Sequence, residues 1–294
     1  MSECGFIGLG RMGGAMARRL LTNDYDLKIL RRDAQAAAAL AALGARVAPD
    51  IPELCEGRDL LISMLPTDES LESVALGPSG LADSLPAGAI HMVSGTHGVR
   101  TIEKLLAVHQ RREQILISCT VLGRPDRAVA GTLGLIPAGP AAEVARLAPV
   151  LNTLGQVIFH AGEDPLSGVA LKIANNFVLG CAIEAIGEGM SLVRRYGGDP
   201  ELFQRILTEG LFNCVAYQGY GDVIAKQDWH RVGATASIGL KDARLALEAA
   251  DKFQIPLPSA NVWRDHLLAA CGRGEAGLDW SVMAREQFRR SGLE

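Results

Sequence analysis

Three glycines near the amino terminus have the spacing of a dinucleotide-binding turn. They form the pattern Gly-x-Gly-x-x-Gly at Gly8, Gly10 and Gly13, directly after an apolar run that suits a strand and at the start of a helical pattern. In such a turn the first glycine allows the tight bend, the second lets the backbone approach a pyrophosphate, and the third allows close packing of helix and strand. The N–H groups at the helix start can then bind the phosphates. The sequence therefore predicts a nucleotide cofactor at this turn.

The end of the second predicted strand bears on the choice of cofactor. An NAD-binding turn usually has Asp or Glu about 20 residues further on, where the carboxylate binds the ribose 2′-hydroxyl. Here the strand ends in Leu30-Arg31-Arg32-Asp33, and Arg31 occupies the acidic position. Two arginines suit a 2′-phosphate through charge-assisted hydrogen bonds, so we expect NADP (NADPH) as the cofactor. The alternative is a solvated basic pair with Asp33 as the ribose ligand.

A lysine and an asparagine four residues apart could act on a substrate. Lys172 and Asn176 share one face of a predicted, largely apolar helix, where burial of either without a partner is costly. A buried lysine with a lowered pKa can protonate a carbonyl oxygen, whereas a lysine in the first turn of a helix can extend to solvent. Gly239-Leu240-Lys241-Asp242 offers a similar choice. Lys241 could reach a cofactor or substrate, while Asp242 at a helix start could interact with the helix dipole.

The elements that must position these residues change in character after residue 164. Up to that point, short apolar runs alternate with helical patterns such as Arg11–Leu21 and Ala34–Leu43, which indicates a parallel sheet covered by helices. The predicted strands are Cys4–Ile7, Asp26–Leu30, Asp59–Met64, Ala89–Val93, Gln114–Cys119, Thr132–Ala138 and Gln156–Phe159. Beyond that point the predicted helices are Gly168–Arg195, Glu201–Glu209, Ile238–Phe253 and Pro258–Cys271. We therefore predict an α/β fold, with an N-terminal Rossmann dinucleotide-binding domain over residues 1–164 and an all-α C-terminal domain over residues 165–294.

Composition argues against several other classes of protein. The net charge is −4 and no dense Lys/Arg run occurs, so nucleic acid is not an expected partner. No apolar run reaches the roughly 18–20 residues that span a bilayer, so a membrane is not expected either. The start, Met1–Cys4, is acidic and is not typical of a signal peptide. Six scattered cysteines without Cys-x-x-Cys spacing suggest reduced thiols in the cytoplasm, and the histidine spacing suggests no metal site.

Several motifs in a fixed order resemble the β-hydroxyacid dehydrogenase family, which includes 3-hydroxyisobutyrate dehydrogenases, tartronate semialdehyde reductases and the more distant imine reductases. The resemblance covers nearly the whole chain. The motifs that carry it are Gly5-Phe6-Ile7-Gly8-Leu9-Gly10-Arg11-Met12-Gly13, Ile62-Ser63-Met64-Leu65-Pro66, Ala130-Gly131-Thr132-Leu133, Lys172-Ile173-Ala174-Asn175-Asn176 and Leu240-Lys241-Asp242.

The resemblance implies a role for each candidate site residue. Lys172 would be the catalytic acid or base, with Asn176 beside it in the substrate site. The cofactor-binding residues would be Gly8, Leu9, Gly10, Arg11, Met12, Gly13, Arg31, Arg32, Met64, Leu65, Pro66, Thr96 and Lys241. The family's helical domain usually forms a dimer through its long helix. The segment Val169–Val193 is apolar on most of its circumference, which also favours a homodimer.

The substrate loop departs from the family pattern. The family typically has Asp-x-Pro-Val-Ser-Gly-Gly where this chain has Ser118–Arg124. The expected substrate-binding residues are Thr120, Val121, Leu122, Gly123 and Arg124. Leu122 replaces a serine that binds a substrate carboxylate, and Arg124 replaces a glycine. Arg124 could pair with a carboxylate or point to solvent, and we expect the second arrangement because a loop tip followed by proline usually faces water.

These observations predict an NADPH-dependent oxidoreductase that transfers hydride to a small carbonyl compound, with Lys172 protonating the developing alkoxide. One alternative is an imine reductase, or a reductase of uncharged carbonyls. Ser94-Gly95-Thr96 is more similar to the imine reductases, although those enzymes usually lack the lysine at this chain's position 172. A further alternative is a non-catalytic NADP-binding protein, since function depends on the site rather than the fold.

Overall fold

The computed structural model describes residues 3–30 and 34–294, so Arg31, Arg32 and Asp33 lie outside the described residues. The chain divides into two compact units, one ending at Lys172 and the other beginning at Ile173. The division falls inside a long helix, Pro165–Arg195, and eight residues after the change of character in the sequence (164 to 172).

The first unit is built on a sheet of eight strands in the order β3-β2-β1-β4-β5-β6-β7-β8. All neighbouring strands run parallel except β6 and β7, which are antiparallel. The strands are β1 Glu3–Ile7, β2 Asp26–Leu30, β3 Arg46–Ala48, β4 Leu60–Ser63, β5 Ile90–Val93, β6 Ile115–Leu122, β7 Leu133–Ala138 and β8 Gly155–Ile158. The predicted α/β fold is confirmed. The three-residue strand β3 was absent from the sequence prediction, and β6 continues three residues further than expected.

Helices cover this sheet because apolar residues of the strands need burial on both faces. The helices are α1 Arg11–Leu21, α2 Ala34–Ala41, α3 Ile51–Cys55, α4 Asp68–Leu76, α5 Leu81–Ser84, α6 Val99–Arg111, α7 Pro125–Ala130, α8 Ala141–Arg146 and α9 Ala148–Leu154. All four residues of β4 and of β5 are buried. Helix α1 contributes Met16 and Leu20, four residues apart, to the same core as Phe6 of β1.

The second unit is helical. Its elements are the greater part of α10 Pro165–Arg195, followed by α11 Pro200–Glu209, α12 Val215–Lys226, α13 Ala236–Asp251, α14 Pro258–Gly272 and α15 Val282–Arg290. Trp263, Trp280 and Phe288 are buried in its core with residues of α10. Sequence analysis missed α12 and α15. It also began α10 three residues late, because Pro165 lies in the first turn, where proline is tolerated.

Helix α10 is the one helix of the described residues that is long and apolar enough, by length and composition, to cross a membrane. Its mean hydropathy is 1.5 over the window concerned, and 44% of that window is buried within the protein. No apolar run of this length was expected from the sequence, and the helix also includes charged residues. One of them, Glu184, is buried with its carboxylate 2.8 Å from His266 Nδ1 of α14. A buried polar group that contacts another polar group of the protein is typical of a core helix.

A chain of four buried polar side chains links β4, β5 and α6 in the first unit. Gln114 Nε2 donates to the carbonyl oxygens of Ala82 and Leu85, so Gln114 Oε1 must accept from His109 Nδ1 at 2.7 Å. His109 Nε2 must then accept from His91 Nδ1 at 3.0 Å. The remaining His91 nitrogen accepts from the hydroxyl of Ser63, at 2.9 Å. Burial lowers the pKa of His91 well below its usual 6.5, and burial also lowers that of His109.

Candidate active site

Two of the three motif glycines are required by the packing of the protein itself. Gly8 has a φ of +94°, and a Cβ atom there would lie under 3.0 Å from the carbonyl oxygen of Met64. A Cβ atom at Gly13 would lie under 3.0 Å from the carbonyl oxygen of Gly8. The turn between β1 and α1 can therefore close only with glycine at both positions.

Gly10, by contrast, faces open space. No atom of the described residues lies within 4 Å of the position that its Cβ would occupy. Gly10 is the N-cap residue of α1, has no side chain to cap the helix, and is followed by a first turn without acidic residues. The first N–H groups of α1 thus lack a capping side chain beside an open cradle, which suits a phosphate group. The residues present fit the pyrophosphate of a dinucleotide.

The segment Met64–Pro66 follows β4 at the same edge of the sheet. The Met64 N–H donates to the carbonyl oxygen of Ile7 at 2.9 Å, which holds this segment beside the glycine turn. Leu65 is buried, and Thr67 caps α4 through a reciprocal capping box with Ser70. The segment is therefore held at both ends, by β1 and by α4.

The segment that contains Thr96 lies against Met64–Pro66. The Ser94 N–H donates to the carbonyl oxygen of Ser63 at 2.8 Å, and a Cβ atom at Gly95 would lie 2.6 Å from the carbonyl oxygen of Leu65. Glycine at 95 therefore lets the two segments touch. The structure brings together the glycine turn, Met64–Pro66 and the segment of Thr96 at the carboxyl edge of the parallel strands, where dinucleotides bind in this type of sheet.

The expected substrate loop is largely strand. Thr120 and Val121 are buried within β6, and Leu122, its last residue, is half-buried. The Thr120 hydroxyl has no hydrogen-bond partner in the described part of the chain. Gly123 has a φ of +141°, and Arg124 is an exposed residue at the N-cap of α7.

Lys172 is placed by the first turns of α10, which pack on β6 and β7. The Ser118 hydroxyl donates to the carbonyl oxygen of Pro165 at 2.7 Å. A Cβ atom at Gly168 would lie 2.6 Å from Ser118 Oγ and 2.9 Å from Ala138 Cβ, so glycine allows this close approach. Lys172 follows Gly168 by one turn and is half-buried. It is the eighth residue of α10 and therefore lies beyond the first turn.

Asn176 is held by a buried carboxylate that sequence analysis did not include in the site. Asn176 is 9% exposed, and its Nδ2 donates to Asp242 Oδ2 at 2.8 Å. The other oxygen of Asp242 lies 3.2 Å from Lys241 Nζ. Because α13 begins at Ala236, Asp242 is its seventh residue, and the suggested interaction with the helix dipole is wrong. Asn176, Lys241 and Asp242 belong to the second unit.

The comparisons with known proteins cover both units. The NAD-binding domain of 6-phosphogluconate dehydrogenase matches residues 3–162, and the NAD-binding domain of NADP-dependent 3-hydroxyisobutyrate dehydrogenase matches residues 167–286. The oxidoreductase YfjR of Bacillus subtilis is 36% identical over 280 residues, which cover 95% of this chain and 97% of that protein. The 3-hydroxyisobutyrate dehydrogenase of Pseudomonas aeruginosa is 31% identical over 293 residues, covering 97% and 98%.

Solved structures agree with these matches. A Mycobacterium tuberculosis 3-hydroxyisobutyrate dehydrogenase with L-serine has a TM-score of 0.87 at 26% identity, covering 98% of this chain and 99% of that one. An imine reductase of Pseudomonas sp. has a TM-score of 0.62 at 19% identity, covering 97% and 99%, and so shares the fold. With both domain models and full-length relatives in agreement, the chain belongs to the β-hydroxyacid dehydrogenase family and is an NAD(P)-binding dehydrogenase or reductase.

Proposed function

We propose that the chain reduces a small carbonyl compound with NADPH, using Lys172 as the proton donor. The observation that carries the proposal is the open cradle at Gly10, which lies beside the uncapped start of α1 and the two segments at the sheet edge. A nicotinamide bound there would supply hydride. Lys172, half-buried and seated by Gly168, would protonate the carbonyl oxygen as it gains charge.

Asn176 would orient the substrate beside Lys172. The two residues are four apart on α10 and therefore share a face. One Asn176 Nδ2 proton goes to Asp242, and Asn176 Oδ1 accepts from Asn175 Nδ2 at 3.2 Å. The second Nδ2 proton is the one that Asn176 would offer to a substrate oxygen.

Leu122 favours substrates without a carboxylate at this position. The relatives include a 3-hydroxyisobutyrate dehydrogenase and the 3-sulfolactaldehyde reductase of Escherichia coli, whose names denote acidic substrates. Leucine cannot donate a hydrogen bond to a carboxylate, and Arg124 is exposed. We therefore expect better reduction of uncharged aldehydes, ketones or imines than of acids. The same apolar residue supports imine reduction as the second candidate function.

The preference for NADPH over NADH rests on Arg31 and Arg32, which suit a 2′-phosphate. The match of residues 167–286 to an NADP-dependent family supports it. Steady-state kinetics with both cofactors test the preference, and equal or better kcat/KM with NADH would contradict it and favour Asp33 as the ribose ligand.

A homodimer in the cytoplasm is the proposed state of the protein. Leu171, Val178, Ala185 and Leu192 recur every seven residues on α10, and the three larger ones are 52%, 63% and 63% exposed. A second copy would bury this apolar stripe. All six cysteines are free, which suits a reducing compartment. A stable monomer at micromolar concentration in light scattering would contradict the dimer.

The activity is tested by following NADPH absorbance with aldehydes, keto acids and cyclic imines. Lys172→Ala should leave NADPH binding nearly intact and lower turnover by about 10²–10⁴-fold. Lys252→Ala, an exposed lysine of the second unit, is the matched control. Unchanged turnover in folded Lys172→Ala protein would remove Lys172 from the mechanism.

A further inference from the structure

One carboxylate joins the two segments that flank the proposed nicotinamide position. We define the β4 loop as Met64–Thr67 and the β5 loop as Ser94–Gly98. Asp68 directly follows the β4 loop as the first residue of α4. Its Oδ1 lies 3.0 Å from His97 Nδ1, and both of its oxygens lie 3.1 Å from the Gly98 nitrogen. The Asp68 side chain is therefore hydrogen-bonded to the last two residues of the β5 loop.

The Asp68 carboxyl has a lowered pKa, which suits its role as an acceptor from His97 and Gly98. Although burial raises the pKa of the Asp68 carboxyl, hydrogen bonds from His97 and the Gly98 N–H, with the charge of His97, lower it below its usual value. The ionised carboxylate accepts from both donors. The His97 side chain is fully buried, with its Nδ1 facing the Asp68 carboxylate.

The contact lies next to the point where the two loops touch. A Cβ atom at Gly95 would lie 2.6 Å from the Leu65 carbonyl oxygen, and it would also meet His97 Nε2. The His97 ring thus packs against Gly95 on the side away from Asp68, since Nδ1 and Nε2 are on opposite sides of the imidazole. Asp68, His97 and Gly95 form a continuous connection from the start of α4 back to Leu65.

We propose that Asp68 is a positioning residue for the nicotinamide half of the cofactor. By tying the β4 loop to the β5 loop, it holds Leu65 and Pro66 at a constant distance from Thr96. This inference rests on the proposed function, which places the nicotinamide ribose beside these residues. Loss of the Asp68 hydrogen bonds should weaken binding of the nicotinamide half of the cofactor and leave pyrophosphate binding at Gly10 unchanged.

Helix α4 makes a second side-chain contact, this one with α6, that serves as a matched control. Glu72 lies one turn after Asp68 on α4, forms an ion pair with Lys104 of α6, and lies 3.5 Å from Thr101 Oγ1. Glu72 therefore links α4 to α6, one turn further from the two loops. Its removal should affect the helices without changing the distance between Leu65 and Thr96.

The test compares the intact cofactor with a fragment that lacks nicotinamide. Calorimetric titration would measure the Kd of NADPH and of 2′-phospho-ADP-ribose, or of NADH and ADP-ribose if the wild type binds NADH more tightly. We expect Asp68→Ala to weaken binding of the whole cofactor on the order of tenfold and to change fragment binding by less than about twofold. Glu72→Gln should leave both affinities near the wild-type values.

Each other outcome overturns the inference. Equal weakening of cofactor and fragment would show a general structural role for Asp68, and no weakening of either would show that the tie does not affect the cofactor. Wild-type protein that binds neither dinucleotide would overturn the proposed function together with this inference. If Asp68→Ala does not fold, Asp68→Asn keeps one acceptor for Gly98, and it should show the same discrimination between cofactor and fragment, reduced in size.

Discussion

Replacing Gly10 and Gly13 one at a time by alanine should separate cofactor binding from folding. At Gly10, φ is −65° and ψ is −172°, a conformation open to any residue, and the space around its Cβ position is empty of described protein atoms. Alanine there restricts the unfolded chain, which stabilises by up to about 1 kcal/mol, but glycine is preferred over alanine at an N-cap by a similar amount, so the free energy of unfolding should change little. The same methyl group would occupy the cradle for the pyrophosphate.

The loss of affinity at Gly10 follows from the hydrogen bonds that the methyl group would displace. A hydrogen bond to a charged group contributes about 1.5–3 kcal/mol, and about 1.4 kcal/mol corresponds to a factor of ten. Losing one or two such bonds should weaken NADPH binding by at least about tenfold.

Gly13→Ala should instead lower the stability of the fold. Alanine is favoured over glycine in a helix interior by about 1 kcal/mol. Against this, its Cβ would overlap the Gly8 carbonyl oxygen, a backbone atom that cannot rotate away. Overpacking typically costs about 1–3 kcal/mol, and contact with backbone favours the upper end, so we expect a net loss of stability.

Thermal unfolding without cofactor and calorimetric titration with NADPH would measure both effects. About 1 kcal/mol corresponds to roughly 2–4 °C in Tm for a protein somewhat smaller than this one. Gly10→Ala protein that binds NADPH as tightly as the wild type would refute the placement of the pyrophosphate. Gly13→Ala protein with wild-type Tm would refute the packing argument.

The remaining predictions concern three buried sites: the histidine pair His91 and His109, Asp242, and Gly168. Because the folded-state pKa values of His91 and His109 lie below 6.5, the unfolded chain takes up protons first as pH falls. Their contribution to stability is therefore complete well above pH 6.5 and declines as pH falls through that value, by at most about 1 kcal/mol per histidine between pH 6.5 and 5.5. Urea unfolding at the two pH values measures the decline, and a His91→Gln/His109→Gln double variant with an undiminished slope would contradict this assignment. Asp242→Asn removes the charged acceptor of Asn176 and should lower kcat about tenfold with little change in the Kd of NADPH; an unchanged kcat would exclude the orienting role. Gly168→Ala should lower the free energy of unfolding by about 1–3 kcal/mol in urea, since its Cβ would crowd both β6 and β7, and wild-type stability would contradict the close packing there.

Much of the first unit could be predicted from local sequence. The mostly apolar runs at β4 and β5 predict buried parallel strands, and the structure buries every residue of both. Strand β3 was missed because it has three residues, Arg46–Ala48, and two of them are exposed. Its pairing with β2 depends on a neighbour in the sheet rather than on its own composition.

The site could be predicted only where its signals are local. Lys172 and Asn176 share a face because of helical spacing alone. Asp242 was missed because its partner, Asn176, lies 66 residues away in the sequence. The contact between Gly95 and Leu65 likewise joins segments that no short motif connects.

The buried chain from Ser63 to Gln114 constrains which substitutions the protein can accept. His91 and His109 each donate to one neighbour and accept from another, so a single apolar replacement of either leaves a desolvated donor or acceptor on both sides of the change. Replacing His91 and His109 together by apolar residues leaves only two groups without a hydrogen-bond partner, the Ser63 hydroxyl and Gln114 Oε1. The double replacement should therefore cost less than the sum of the two single ones. These positions are expected to vary as a set among functional variants of the protein, with intermediate combinations selected against.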